Sequence, residues 1–294
     1  MDKGTYKESQ QVLRRIQDHL YKAHLNLGAT AESVGMVDVL HHEDHTLSSL
    51  NYVVPRRNTA WVSGPAVQQG LQQLQQLGRV PRVHYIEGLY PPLLAKTLGE
   101  LGLKVDHEVP LMAYLPNGFA DCTPPPVMVD DLPDGIRLEA TSEQHTSQLW
   151  WYVRNNTFFH VTGLWTEPLY INQETTALKA SQQRDVVMYH NGFPVGVVRV
   201  SIQEQTAHIV ALTLMKEARS PELISILLAG ALKVALDQGC TLIYTQGDTD
   251  LDRKAARALG FLDFGSIVCY TSNATEVEEE YNDHILGQPV FALR

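Results

Sequence analysis

The sequence predicts an α/β protein of two similar halves, each a mixed central sheet flanked by helices. Three observations carry that expectation. The first is the stretch from Thr206 to Asp250. It reads as an apolar strand (His208 to Leu214), a short turn (Lys216 to Arg219), a long helix (Pro221 to Gln238) and a second apolar strand (Leu242 to Thr245). That order is a parallel βαβ unit, whose crossover is right-handed. The second is a repeat. Helix, Gly78, strand, helix, Leu101-Gly102-Leu103 and a strand ending at Tyr114 are mirrored by helix, Gly239, strand, helix, Leu259-Gly260-Phe261 and a strand ending at Tyr270. The two glycines stand 24 residues apart in one copy and 21 in the other, the mark of a duplicated unit. The third is Asn117 to Gly135, which holds Pro124-Pro125-Pro126, Asp130-Asp131 and Pro133 without periodicity and reads as a linker.

In chain order, Tyr6 to Leu27 sets Leu13, Ile16, Leu20 and Leu27 at helical spacing, and Gly28 stops the helix. Val37 and Val39 alternate with polar residues as a strand, as do Leu50, Tyr52 and Val54 before Pro55. Pro65 to Leu77 is a helix with Val67, Leu71 and Leu74 on one face and glutamines on the other. Val80 to Ile86 is a strand, Pro91-Pro92 opens a helix to Leu101, and Val109 to Tyr114 is a strand. The second half starts with a strand at Ile136 to Leu138 and a helix from Ser142 to Asn155. An aromatic loop follows, then a helix from Ile171 to Gln183. Val186 to Tyr189 and Pro194 to Ile202 form a hairpin across His190-Asn191-Gly192. After the βαβ unit come a short helix, Leu251 to Leu259, and a strand, Phe264 to Tyr270, with Val290-Phe291-Ala292 as a possible docking strand.

Composition bounds the function. The 294 residues exceed one small domain, and 44% apolar content suffices for two cores. A net charge of -10 argues against a nucleic-acid partner, which needs a basic face, and suits a cationic or amine substrate. Cys122, Cys240 and Cys269 are odd in number and lack CxxC spacing, so no disulfide framework or zinc knuckle is indicated. Cys240 and Cys269 read as small core residues. The start, Met1-Asp2-Lys3-Gly4, lacks a signal-peptide core, and no apolar run reaches membrane-span length. A cytoplasmic protein without a membrane partner is expected, monomer or homodimer.

The second half resembles the GNAT superfamily of acyl-CoA-dependent N-acyltransferases. The matching text is Pro194-Val195-Gly196-Val197-Val198, Ile209 to Leu214 ahead of Arg219, Leu223 to Gly239, and Ala255-Ala256-Arg257-Ala258-Leu259-Gly260-Phe261. The first half looks like a shortened, diverged copy, so the whole resembles tandem GNAT proteins. That gives a diverged domain at 1–116, a linker at 117–135 and a fuller domain at 136–294. The resemblance implies acetyl transfer from acetyl-CoA, as co-substrate, to the amine of a small molecule or peptide. The alternative is a GNAT-derived module that binds a ligand or partner without turnover. In the family the fourth and fifth strands splay, the acyl-pantetheine arm enters between them, and the pyrophosphate rests on N–H groups at the following helix start. Carried onto this chain, the cofactor-binding residues are Leu212, Thr213 and Leu214 on the strand and Arg219, Ser220, Glu222, Leu223 and Ile224 at the turn.

That turn departs from the family pattern of Arg or Gln, two residues, Gly, one residue, Gly or Ala. Arg219 fills the first place, but Glu222 and Ile224 replace the small residues. Ser220-Pro221-Glu222 is instead a self-contained helix start: N-cap, proline at the first position, acid in the first turn. Glu222 sets a negative charge where the cofactor brings its own, a repulsion of about 1–4 kcal/mol at a few ångströms. The family's proton-donating tyrosine, four residues before the Gly of Leu-Gly-Phe, is Ala256 here. Tyr244 and Tyr270 are the tyrosines that could replace it. His208 is the titratable group on the fourth strand, and strict alternation gives it a face with Val210, Leu212 and Leu214. His208 and Tyr244 are therefore the catalytic candidates.

Trp151, Phe159 and Trp165 are the acceptor-pocket candidates by the same resemblance. Adjacent on one helix, Trp150 and Trp151 cannot both face one core, so one is expected at a surface, cleft or interface. His41-His42-Glu43-Asp44-His45 is dense in metal-ligand types but reads as a solvated loop without diagnostic spacing. Arg56-Arg57 reads as a solvated turn. No metal is expected.

Overall fold

In the computed structural model, residues 3–57, 59, 61–119, 124–125, 132–141, 144–159, 182–247 and 249–272 are described. The chain divides into two compact units, one holding Met1–Leu111 with the strand from Phe264, the other Met112–Asp263.

The first unit contains α1 (Lys3–Asn26), β1 (Thr30–Val34), β2 (Val37–His41), β3 (Tyr52–Pro55), α2 (Gly64–Gln76), β4 (Arg82–Ile86), α3 (Leu93–Glu100) and β5 (Lys104–Tyr114). The strand β11 (Leu262–Thr271) completes its sheet, in the order β1-β2-β3-β4-β11-β5. Strand β1 was absent from the sequence expectation, because exposed Thr30-Ala31-Glu32-Ser33 has no apolar alternation. Its place comes from antiparallel pairing with β2, Ala31 opposite Leu40. One sheet face and α2 and α3 share a core of Val37, Val39, Val53, Val67, Leu74, Val83, Leu98, Val268 and Tyr270. The glutamine-free stripe of α2 is thus its inward stripe. On the other face, Tyr21 of α1 packs on Leu40, Tyr52 and Val54.

The second unit contains β6 (Ile136–Thr141), α4 (Gln144–Phe159), β7 (Gln183–His190), β8 (Phe193–Gln203), β9 (Thr206–Leu214), α5 (Pro221–Asp237), β10 (Leu242–Gln246) and α6 (Asp250–Ala258). Its strands run β10-β9-β8-β7-β6. The β7–β8 hairpin turns at Asn191 and Gly192, whose φ angles of 51° and 86° make the primed turn that matches strand twist. Of the expected helix from Ile171 to Gln183, all but its last residues lies outside the described residues, and Gln183 opens β7 instead. Val290-Phe291-Ala292 also lies outside them.

Helix α5 is the hub of the second core. Leu227, Ala231, Leu232 and Ala235 are fully buried against Val186, Val198, Val200, Ala207, Ile209 and Ile243. Burying each such leucine contributes about 1.5–3 kcal/mol. Phe261, from the Leu-Gly-Phe segment, closes this core beside Tyr114, their rings 5.6 Å apart. Among the described residues, no helix is long and apolar enough to cross a membrane.

Candidate functional site

The βαβ unit of the sequence reading contains a fork. Strands β9 and β10 pair in parallel at Leu242–Thr206, Ile243–Ala207, Tyr244–His208 and Thr245–Ile209. Beyond Ile209 that register ends, while β9 continues to Leu214. The Thr245 hydroxyl donates to the Ile209 carbonyl at 3.2 Å and closes the crotch. Past it, β9 runs on to Leu214, and its opposite edge still pairs with β8, Thr213 to Val197 and Leu214 to Gly196.

The stretch also carries a bulge. Arg199 pairs with Val210 and Val197 with Thr213, so β9 spends one more residue than β8 over the same span. This corrects the expected alternation. Leu212 and Leu214 join Ala207 and Ile209 in the α5 core, while His208 does not share that face. The extra residue flips the side-chain phase halfway along the strand.

His208 is 3% exposed and lies flat on Tyr244, ring centroids 4.3 Å apart and planes within 8°. Tyr244 is fully buried, and burial raises its hydroxyl well above the usual tyrosine range. The two sequence candidates are thus brought together on the paired stem of the fork. Ala256 is 1% exposed and packed in the α5 core, so the short helix offers no hydroxyl at that place.

The turn beyond β9 is occupied by its own cap. The Ser220 hydroxyl accepts the Leu223 N–H at 3.2 Å, and the Ile224 N–H donates to the Ser220 carbonyl at 3.0 Å. Pro221 has no N–H. Of the first-turn amides of α5, that of Glu222 is left for an incoming anion. Arg219 and Glu222 are exposed, and Ile224 is buried in the core rather than lining the seat.

Across the sheet from α5 lies a buried polar cluster that the sequence reading missed. Arg199 binds Asp185 through two hydrogen bonds, Nε to Oδ1 at 2.7 Å and Nη2 to Oδ2 at 2.9 Å, with side chains 4% and 0% exposed. The Arg199 guanidinium sits 4.1 Å over the Trp150 ring. The signal was present: one arginine inside the valine run of β8 and one aspartate at the matching place on β7. Trp150 and Trp151 are both buried, at 0% and 2%, with rings 5.0 Å apart and edge-on. Neither is at the surface, because α4 is covered on more than one side: Val153, Arg154 and Asn155 are buried too. The Phe159 side chain and all of Trp165 lie outside the described residues.

The first unit has a fork of its own. Strands β3 and β4 are parallel and register at the single pair Val53–Val83. A cavity of about 40 Å³ opens between them and α1, lined by Gln17, His24, Tyr52, His84, Ile86 and Ile267. The helix after β3 begins Ser63-Gly64-Pro65-Ala66, with the Ser63 hydroxyl accepting the Ala66 N–H at 3.3 Å. Gly64 and Ala66 supply the small residues that the second unit's turn lacks. The sequence reading stopped at Arg56-Arg57 as a solvated turn and missed them.

His41 ends β2, and His42–His45 is a loop, but an ordered one. The His42 ring is buried, and its Nδ1 accepts the Asp44 and His45 N–H groups at 3.1 and 3.2 Å. The Arg79 guanidinium donates to the His42 and Glu43 carbonyls at 2.8 and 2.7 Å.

Residues 145–261 match the sequence model of the Acetyltransferase (GNAT) family. No curated protein matches the chain in sequence. Among solved structures, the chain is similar to a GCN5-related N-acetyltransferase from Kribbella flavida, with TM-score 0.69, 18% identity, and 88% of this chain and 95% of that one covered. A GCN5-related N-acetyltransferase from Sphaerobacter thermophilus gives TM-score 0.58 at 13% identity, covering 81% of each chain. A tandem GNAT protein from the clavulanic acid biosynthesis pathway gives 0.56 at 13%, covering 82% of this chain and 79% of that one. The fold is the GNAT fold, and residues 145–261 match that family's model.

Proposed function

Taking the GNAT domain at residues 145–261 as premise, we propose that the protein transfers an acetyl group from acetyl-CoA to an amine at the β9–β10 fork. The observation that carries this reading is that the β9–β10 register ends at the Thr245–Ile209 crotch while β9 runs on to Leu214. An extended amide-bearing chain fits such an edge by strand-like hydrogen bonding. Leu212, Thr213 and Leu214 line the arm. Arg219 and the amide of Glu222 face the pyrophosphate, with Ser220, Leu223 and Ile224 building the turn. The amine nitrogen attacks the thioester carbonyl, the C–S bond breaks, the amine proton leaves to a base, and the CoA thiolate takes a proton. His208 is the base in this reading, reached through water because it is buried; Tyr244 orients it by stacking. Trp151 belongs to the wall behind the acceptor, and the net charge of -10 favours a cationic amine, small molecule or peptide.

A second reading is favoured by the Ser220 cap and by Ala256. It is a GNAT-derived module that binds an acyl-CoA or another ligand without turning it over.

Thermal melting with millimolar acetyl-CoA, paired with thiol release in the presence of an amine panel, tests both. Ligand at about ten times Kd adds about 1.4 kcal/mol, a rise of about 3–5 °C for a unit this size. A rise with thiol release supports transfer, and a rise without it supports the second reading. No rise with any acyl-CoA overturns both as acyl-CoA proteins.

A further inference from the structure

We propose that Cys269, His107, Asp106 and His84 form a binding site for one divalent cation of the zinc class, clasping β11 to β4 and β5 in the first unit. Strand β11 lies between β4 and β5. Cys269 stands directly opposite His84 in the antiparallel register, so both side chains leave the same face of the sheet. From β5, His107 and Asp106 bring a ring nitrogen and a carboxylate oxygen to the Cys269 sulfur, and the three ligand atoms all lie within 4.8 Å of one another. Donor atoms held tetrahedrally at about 2.0–2.3 Å from a zinc ion are about 3.5 Å apart, so small side-chain rotations bring these three onto one ion.

A second observation points to the same place. The His84 Nε2 is buried and has no hydrogen-bond partner, and the residue is 8% exposed. Its ring centroid is 6.3 Å from that of His107, edge toward face. A buried ring nitrogen without a hydrogen-bond partner costs about 1–3 kcal/mol, and a metal bond would satisfy it. The donor set of one sulfur, two imidazole nitrogens and one carboxylate oxygen suits Zn²⁺ or Co²⁺ and disfavours Mg²⁺ and Ca²⁺, which take oxygen. The Asp106 Oδ2 already lies 2.9 Å from the His107 Nδ1, so these two ligands come preset. Both keep some exposure, 15% and 22%, which leaves an entry route. Binding releases the Cys269 thiol proton to solvent, so occupancy rises with pH.

Titrating the reduced full-length chain with Co²⁺ tests this. One equivalent should bind with a near-ultraviolet thiolate-to-cobalt band, and Zn²⁺ should displace it and raise the melting temperature. Cys269→Ser should abolish the band and Cys240→Ser should keep it. His84→Gln and His107→Ala should each weaken binding by about 10–100-fold. If Cys269→Ser fails to fold, the two histidine variants and Asp106→Asn decide. No band in the native chain, a band surviving in Cys269→Ser, or native affinity in all three other variants overturns the proposal.

Discussion

Glu222→Gln isolates the charge at the mouth of the fork. Glu222 is exposed, follows Pro221 at the start of α5, and flanks the amide left open by the Ser220 cap. At about 4 Å in water, its repulsion of a phosphate charge is about 1 kcal/mol, equivalent to about fivefold in affinity. The substitution keeps the side-chain length and the backbone, so acetyl-CoA should bind about fivefold tighter. The same change removes a favourable charge from a helix N-terminus, costing about 0.3–1 kcal/mol and lowering the melting temperature by no more than about 3 °C. Opposite signs in binding and stability are the signature. Isothermal titration at low and at high salt is the assay. The gain should shrink with salt, because the interaction is solvent-screened. Unchanged or weaker binding in Glu222→Gln would refute the view that this turn carries the electrostatic obstacle.

Two further outcomes follow from the buried polar groups. His24 is buried, its Nδ1 sits 2.6 Å from the Tyr52 hydroxyl, and burial pushes its pKa from 6.5 down to about 4. The unfolded chain therefore binds this proton first as pH falls, and stability present above pH 6.5 is lost progressively toward pH 4, by about 3 kcal/mol in all. His24→Asn keeps an acceptor for the Tyr52 hydroxyl and should flatten the slope of chemical-denaturation stability in that window by about 1.4 kcal/mol per pH unit; an unchanged slope contradicts the assignment. Asp185→Asn should destabilise by about 3–5 kcal/mol, read by urea unfolding, because the Arg199 charge stays buried, whereas Asp185→Leu with Arg199→Met should recover most of the loss. Equal losses in the single and double variants would refute the ion-pair account.

The fold was legible because its period signals were strong. The helix at Pro221 was announced by a Ser-Pro-Glu start, and the β7–β8 hairpin by Asn191-Gly192, whose positive φ angles the sequence could foretell. Strand β1 was not legible, since its order comes from pairing rather than from any apolar pattern. At the site, the fork was implied by the resemblance to the GNAT superfamily, while the strand-turn-helix-strand order gave the βαβ unit that holds it. The bulge did not: Leu212 and Leu214 change face because β8 and β9 spend different numbers of residues, a property of the pair that neither strand records alone. The burial of both Trp150 and Trp151 was not legible for a similar reason, because a helix covered on two sides escapes the one-face rule. Glu222 and Ala256 were read as departures from the pattern of the family the chain resembles, and the structure adds that Ile224 points into the core and that the Ser220 hydroxyl already uses the Leu223 amide.

The central claim is that the stretch of β9 beyond the β9–β10 register receives an acyl-CoA arm. Hydrogen–deuterium exchange with and without acetyl-CoA tests it at the residues concerned. Backbone amides in Val210–Leu214 should slow on binding, together with that of Glu222, while the α5 core at Leu227–Ala235 stays unchanged. Protection confined to Tyr52–Pro55 and Gly64–Val67 in the first unit, or none at Val210–Leu214 at saturating ligand, would contradict it.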